Sequence, residues 1–303
     1  MKFQLTILGS SSAISIFHRH PTAQILNVRE RLMLIDCGEG TQFQMSRYQI
    51  KAHRITHIFI SHLHGDHYLG LAGLLFTMHL QGRKNELHLF GQEDLMDLIE
   101  MQLRLSNTQL KFNLIFHPVK HYLEEVILDD DDINVRTLIM NHRIPCMGYV
   151  FREKKRPRKL IAQKLKQHNI PFHVYHSIKE GKDFVDENGH RIPNAELTHS
   201  PMAARSYAYC SDTLYDEGIV DHIKDVDLLY HESTFSEALS ERAAQTYHST
   251  AKQAASIAIK SNVKQLVIGH FSARYKDLEP LLQEAKSVFP NTALAIEGKT
   301  FSI

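Results

Sequence analysis

Phe59-Ile60-Ser61-His62-Leu63-His64-Gly65-Asp66-His67 puts four metal-competent side chains, His62, His64, Asp66 and His67, into six consecutive positions. The β-branched stretch 55–60 reads as a strand, and the apolar stretch through residue 80 reads as a helix. A turn clamped between two packed elements holds its side chains rigidly around one point. In an extended strand, alternation would send His62, His64 and Asp66 to one side only. In a tight turn the adjacent Asp66 and His67 can face a second ion. Imidazole and carboxylate together suit zinc, and also manganese or iron. Gly65 is expected to give the turn a backbone conformation that other residues resist.

Working outward, three further candidates follow predicted strands. His142 comes after a strand at 133–139, Asp212 after 206–211, and His270 after 264–268. Each stands just past a carboxyl end, where the loops of a layered α/β fold collect. Other strands are expected at 3–8, 24–28, 32–35, 86–90, 112–116, 148–151 and 227–231, and helices at 41–48, 93–105, 236–245, 250–261 and 278–289. Strands outnumber helices, and helices occur in both halves. That suits two sheets packed face to face with helices outside.

Composition bounds the rest. The 303 residues include 43% hydrophobic and 23% charged side chains, enough for a sizeable core. Net charge is +1, so any polyanion must be held by a local patch rather than a global field. The 21 histidines justify a search for ligand spacing. Cys37, Cys146 and Cys210 form no C-x-x-C pair, which excludes a disulfide framework and leads us to expect a reducing cytoplasm. The apolar run near the N-terminus is too short for a signal core and reads as a strand. No stretch approaches the roughly 18 apolar residues of a membrane span.

Several motifs resemble the metallo-β-lactamase superfamily and, within it, the ribonuclease Z family. They are the H-x-H-x-D-H turn, Asp36-Cys37-Gly38-Glu39-Gly40-Thr41-Gln42, Met140-Asn141-His142, Ser211-Asp212-Thr213, His231-Glu232-Ser233-Thr234, Tyr247-His248-Ser249-Thr250 and Gly269-His270-Phe271-Ser272. The turn alone gives the superfamily; the D-C-G-E-G-T-Q, H-E-S-T and H-S-T runs are closer to ribonuclease Z. The resemblance covers nearly the whole chain. It implies one four-layer αββα metallo-β-lactamase sandwich over residues 1–303, with an arm inserted at about 152–201. It implies that His62, His64 and His142 hold one zinc, that Asp66, His67 and His270 hold another, and that Asp212 bridges them; manganese is the alternative metal. It further implies an endoribonuclease acting on precursor tRNA. There Asp66 accepts the nucleophile's proton, and His248, oriented by Glu232, protonates the leaving 3′ oxygen. A homodimer is expected by the same resemblance. Asp36 and Thr41 are expected to support the ligands or to form the turn.

Residues 152–201 break the rhythm of the chain: polar, carrying four of the nine prolines, weakly periodic. Leu160, Ile161, Leu165, Ile170 and Phe172 suggest local structure. The run from Arg152 to Lys159 carries six basic residues, Arg152, Lys154, Lys155, Arg156, Arg158 and Lys159. Such a run can pair with phosphates, and by resemblance it grips tRNA. The family's Gly-Pro-rich element is not evident there, and His18-Arg19-His20-Pro21 replaces the more usual Arg-Asn loop. The acidic run 129–132 reads as a solvated turn. The competing reading is a superfamily hydrolase of small phosphodiesters, which would need no basic arm. A scaffold with a degenerate site is disfavoured because all seven ligand positions are filled.

Overall fold

The computed structural model describes residues 2–201 and 203–303. Its strands are β1 (Phe3–Gly9), β2 (Ala23–Val28), β3 (Arg31–Cys37), β4 (Ile55–Phe59), β5 (Leu87–Gly91), β6 (Leu114–Pro118), β7 (Val126–Asp129), β8 (Ile133–Met140), β9 (Cys146–Glu153), β10 (Ser206–Cys210), β11 (Leu228–Glu232), β12 (Gln265–Gly269), β13 (Thr292–Leu294) and β14 (Thr300–Ser302). They form two seven-stranded sheets, ordered β14-β1-β2-β3-β4-β5-β6 and β13-β12-β11-β10-β9-β8-β7.

Period-two alternation sorts the side chains into layers. In β4 and β5, Phe59 and Phe90 face the second sheet and stack at 4.7 Å, while Ile58 and Leu89 face helices. Phe59 meets Tyr149 and Phe151 of β9 at 5.4 and 5.3 Å. The helices Gly70–Leu80 and Asp94–Leu105 cover the outer face of the first sheet through Leu71, Leu74, Leu75, Leu95 and Ile99. Ala251–Lys260 and Glu279–Lys286 cover the second through Ala254, Ile257, Ala258 and Leu281. The result is the expected αββα order.

Helix Ala251–Lys260 starts at a capping box: Thr250 Oγ1 accepts from Gln253 N, and Gln253 Oε1 accepts from Thr250 N. The predicted strand at 112–116 lies two residues later, and the predicted helix at 236–245 is regular only over Ser240–Gln245. The edge strands β7, β13 and β14 were not foreseen; at four, three and three residues they are too short to show a period in sequence. Asp130 and Asp132 in the acidic run are not simply solvated. They pair with Arg31 (2.8 Å) and Arg29 of the β2–β3 hairpin, joining the two sheets.

A second compact unit spans residues 153–204. It contains the short helices Ala162–Gln167, Tyr175–Lys179 and Asn194–Leu197 and two two-residue ladders. Leu165, Ile170, Ile178, Ile192 and Leu197 form its own small core. Phe172, expected to help order this segment, is instead 84% exposed.

Candidate metal centre and acid–base pair

β3, β4, β8, β10, β11 and β12 all present their carboxyl ends at one edge of the main unit, because their ladders are parallel or related through an antiparallel neighbour. His62, His64, His67, His142, Asp212, Glu232 and His270 stand at or just beyond those ends. Gly65 takes ordinary helical dihedrals in the one-turn helix Gly65–Tyr68, contrary to the expected special conformation. Space is the constraint there: a Cβ would strike Leu69. At Gly70, a Cβ would collide with the backbone of Cys37 and Gly38, so this glycine lets the metal turn sit against the D-C-G-E-G turn. Asp36 and His270 hold left-handed backbones, φ 55° and 59°, the kind of strain that gathers at functional sites.

The seven candidate ligands converge in two sets. His64 Nδ1 lies 3.1 Å from His62 Nε2 and 3.2 Å from His142 Nε2. Asp212 Oδ2 is 3.7 and 3.8 Å from those two Nε2 atoms. In the second set, His270 Nε2 lies 3.3 Å from both His67 Nε2 and Asp66 Oδ2. Asp212 Oδ1 is 3.4 Å from His67 Nε2 and 3.2 Å from His270 Nε2. One carboxylate thus turns one oxygen to each set. Four ligands arranged tetrahedrally at zinc-ligand distances stand about 3.3 Å apart, close to what is seen. Asp212 Oδ1 is buried and makes no hydrogen bond among the described residues. The donor set therefore fits divalent cations.

The far nitrogens are held as metal-ligating imidazoles require. His67 Nδ1 is 2.7 Å from Asp36 Oδ2, which also accepts from Ser61 Oγ and, at 2.5 Å, from Tyr209 Oη. His62 Nδ1 meets Ser61 Oγ at 3.0 Å, and His142 Nδ1 donates to the Tyr247 carbonyl at 2.9 Å. His270 Nδ1 meets Thr234 Oγ1 at 2.9 Å, and Thr234 Oγ1 donates to Glu232 Oε2 at 2.8 Å. Asp66 Oδ2 accepts from the Ala13 amide at 2.7 Å. Asp36 therefore supports a candidate ligand and Thr41 closes its turn by donating to Gly38 O, the two roles expected of them. Ser61, Tyr209, Thr234 and the Ala13 amide escaped the sequence reading. Hydroxyls and amides carry no spacing signature, and only the fold brings them to the ligands.

Glu232 is fully buried, with Oε1 2.8 Å from His248 Nδ1. The amides of Thr213, Ser249 and Thr234 also donate to it. Burial opposes charge on His248, but the Glu232 carboxylate outweighs it and lifts the imidazole to about 9. Burial likewise pushes the Glu232 carboxyl up, and His248 overrides it downward. Asp212 is held well below the usual range, its burial overcome by His270 and His67. Burial and its neighbour His67 push His62 well below 6.5. His67 is raised despite burial by Asp212, Asp66 and Asp36. A cavity of about 360 Å³ opens over Asp66, Asp212, His248 and His270.

The basic run divides. Arg152 belongs to the main unit, where it donates to the His222 carbonyl. Lys154, Lys155, Arg156, Arg158 and Lys159 belong to the second unit. Arg158 holds that unit together through Thr198 Oγ1 (2.7 Å) and Ser200 Oγ (3.2 Å), and Arg156 faces Glu153 at 3.9 Å. Lys155 and Lys159 are exposed.

Comparisons with known proteins agree with this architecture. The family model described as anti-Pycsar protein Apyc1 matches residues 3–156. A metallo-β-lactamase-fold protein, YhfI of Bacillus subtilis, superposes with a TM-score of 0.72 over 100% of both chains at 15% identity, a likeness of fold alone. Human tRNase Z, short form, superposes with a TM-score of 0.73 over 99% of both chains at 27% identity. A ribonuclease Z of Bacteroides thetaiotaomicron is 46% identical over 302 residues, covering 100% of this chain and 96% of the relative. Fold and site together define a metal-binding enzyme of the metallo-β-lactamase fold. More narrowly, the chain belongs to the ribonuclease Z family of endoribonucleases, and residues 3–156 also to the family described as anti-Pycsar protein Apyc1.

Proposed function

We propose that this chain is a two-zinc endoribonuclease that removes the 3′ trailer from precursor tRNA, leaving a 3′-hydroxyl on the tRNA and a 5′-phosphate on the trailer. The observation that carries this reading is Asp212, whose two oxygens each face a set of three ligands. His62, His64 and His142 would hold one ion with Oδ2; Asp66, His67 and His270 would hold the other with Oδ1. Bound there, such cations supply Lewis acidity toward a phosphoryl oxygen and lower the pKa of water. Asp66 takes the proton given up by the attacking water. His248 lines the cavity, and its Nδ1 is fixed by Glu232, so Nε2 is free to protonate the leaving 3′ oxygen. The Glu232 carboxylate, outweighing burial, keeps that proton on His248 at neutral pH.

Lys155 and Lys159, exposed in the inserted arm of residues 153–204, would grip tRNA phosphates. The reading includes a homodimer, with exposed Phe43 and Leu80 as apolar surface for it, and a cytoplasmic location, in keeping with three free buried cysteines. Among the described residues no helix is long and apolar enough to cross a membrane.

The test is cleavage of one precursor tRNA with a short trailer, with and without chelator, mapped to the nucleotide, beside a chromogenic phosphodiester. Chelator-sensitive cleavage at the trailer junction is expected. Turnover of the small ester alone would reject the RNA reading in favour of a small-phosphodiester hydrolase. The double variant Lys155→Glu/Lys159→Glu is expected to weaken precursor tRNA by about tenfold or more at low salt, with a shallower salt dependence. Equal loss on both substrates would mean misfolding instead.

A further inference from the structure

Arg143 follows directly on the ligand His142 and lines the same cavity as Asp66, Asp212, His248 and His270. Among the described residues around that cavity it is the only lysine or arginine. It is exposed and, among the described residues, has no hydrogen-bond or ion-pair partner. The loop on either side of it is nonetheless tethered. Leu214 N donates to Asn141 O at 2.8 Å, Gln92 Nε2 donates to Pro145 O, and Met147 N donates to Ser61 O at 3.1 Å. A free guanidinium on a tethered loop at a phosphodiester-cleaving cavity is preorganised for a phosphate, which its planar fork matches with two hydrogen bonds.

The same loop borders a second cavity of about 420 Å³, lined by Pro145, Lys120, His121 and Tyr122. Tyr122 is 69% exposed, and among the described residues the one aromatic ring beside it is that of His121, edge-on at 5.3 Å. The loop that carries it is anchored by Val119 N on Gly91 O at 2.8 Å, at the carboxyl end of β5. Glu93 and Asp94 also line this cavity. That disfavours a second phosphate there and supplies acceptors for the amino groups of a base.

Resting on the RNA reading above, we propose that Arg143 holds a backbone phosphate next to the scissile one, and that the Tyr122 cavity takes the adjoining nucleotide with its base stacked on the ring. The chemistry recognised is a single-stranded nucleotide. It comes from the trailer or from the tRNA 3′ end, and trailer length separates the two.

Arg143→Ala, Arg143→Lys and Tyr122→Ala are each compared with the unaltered protein, loaded with zinc, on precursor tRNA with one-, two- and four-nucleotide trailers and on the chromogenic diester. Tyr122→Ala is expected to lower the ratio of kcat/KM for RNA to that for the diester by about tenfold, the usual scale of losing one stacked base. A loss confined to trailers of two or more nucleotides places the nucleotide on the trailer, and a loss at every length places it on the tRNA. A second readout needs no turnover. In anisotropy titrations of a short fluorescent oligoribonucleotide against chelator-treated protein, Arg143→Ala should reduce the slope of log K against log salt by about 0.7, one phosphate's worth for a single strand. Arg143→Lys should keep that slope while losing some affinity. If both alanine variants cleave and bind RNA as the unaltered protein does, the subsite is refuted while the RNA reading stands. If the unaltered protein cleaves only the diester, both fall.

Discussion

Two groups of histidines sit on the first sheet and its neighbours, and only one is built as a metal centre. His62, His64, His67, His142 and His270 converge past the strand ends, with Asp66 and Asp212 among them. His57, His88 and His117 stack across β4, β5 and β6 on the inner face of the same sheet, with ring centroids 4.9 and 5.2 Å apart. Both groups are dense, and both contain close nitrogen pairs: His88 Nδ1 lies 2.9 Å from His117 Nε2. The difference lies in the carboxylates. In the first group Asp212 stands between two sets of rings, and each of four imidazoles has its second nitrogen fixed by a hydroxyl, carboxylate or carbonyl. In the ladder, rings lie flat on rings, and the nearest carboxylate, Glu86, is 3.4 Å from His88 and mostly exposed. Histidine density alone marks nothing; a bridging carboxylate at the edge where strands end does.

Asp212→Ala breaks this contrast most severely. It removes the one group shared by both ligand sets, so purified protein should lose metal by elemental analysis and cleavage should fall to background. Retention of two equivalents of zinc with full activity would remove the bridging role. Replacing His88 and His117 with alanine, by contrast, should leave the metal content unchanged. A drop in stoichiometry there would show that the ladder also binds metal.

His248→Ala comes next. Its Nδ1 is engaged by Glu232, so metal content should hold while cleavage slows by roughly 10²–10⁴-fold, the span of general acid–base catalysis. Glu232→Gln should keep the metal too, yet cost part of that factor by releasing the charge and tautomer of His248. If His248→Ala strips the metal, the acid–base assignment fails and His248 becomes a ligand.

How much of this was legible beforehand follows from the same contrast. The seven candidate ligands stood out because each stands at or just past a readable strand end, and strand patterning survives in sequence. Glu232 was readable through its motif, although neither its complete burial nor its three amide donors were. The ladder was invisible, because stacking across β4, β5 and β6 depends on a register that only the folded sheet sets. Tyr209 and Thr234 were hidden for the same reason: their hydroxyls reach Asp36 and His270 across strands and turns that no local pattern pairs. The arm's basic run was legible as charge, but not the use of Arg158 as internal scaffolding.

The ladder supplies the smallest expected effect and the sharpest check on its different nature. His57 is buried beside His88, His117, Arg31 and Asp130, and burial first, then Arg31 and His88, depress its imidazole to about 3. A group whose folded pKa lies below its unfolded value of about 6.5 lends stability that is present above that value. Lowering the pH from 6.5 toward 3 protonates the unfolded chain first and erodes that stability by up to about 1.4 kcal/mol per pH unit. Substituting His57→Phe keeps a ring against Phe59 and Phe90 and removes the proton uptake. Thermal unfolding of metal-free protein between pH 4 and 7 should therefore be less pH-dependent in the variant, with little change at pH 7. The metal-site histidines are common to both proteins, so their titration cancels in the difference. An unchanged pH slope would mean that His57 opens to water before the fold is lost, so that its burial does not set its charge.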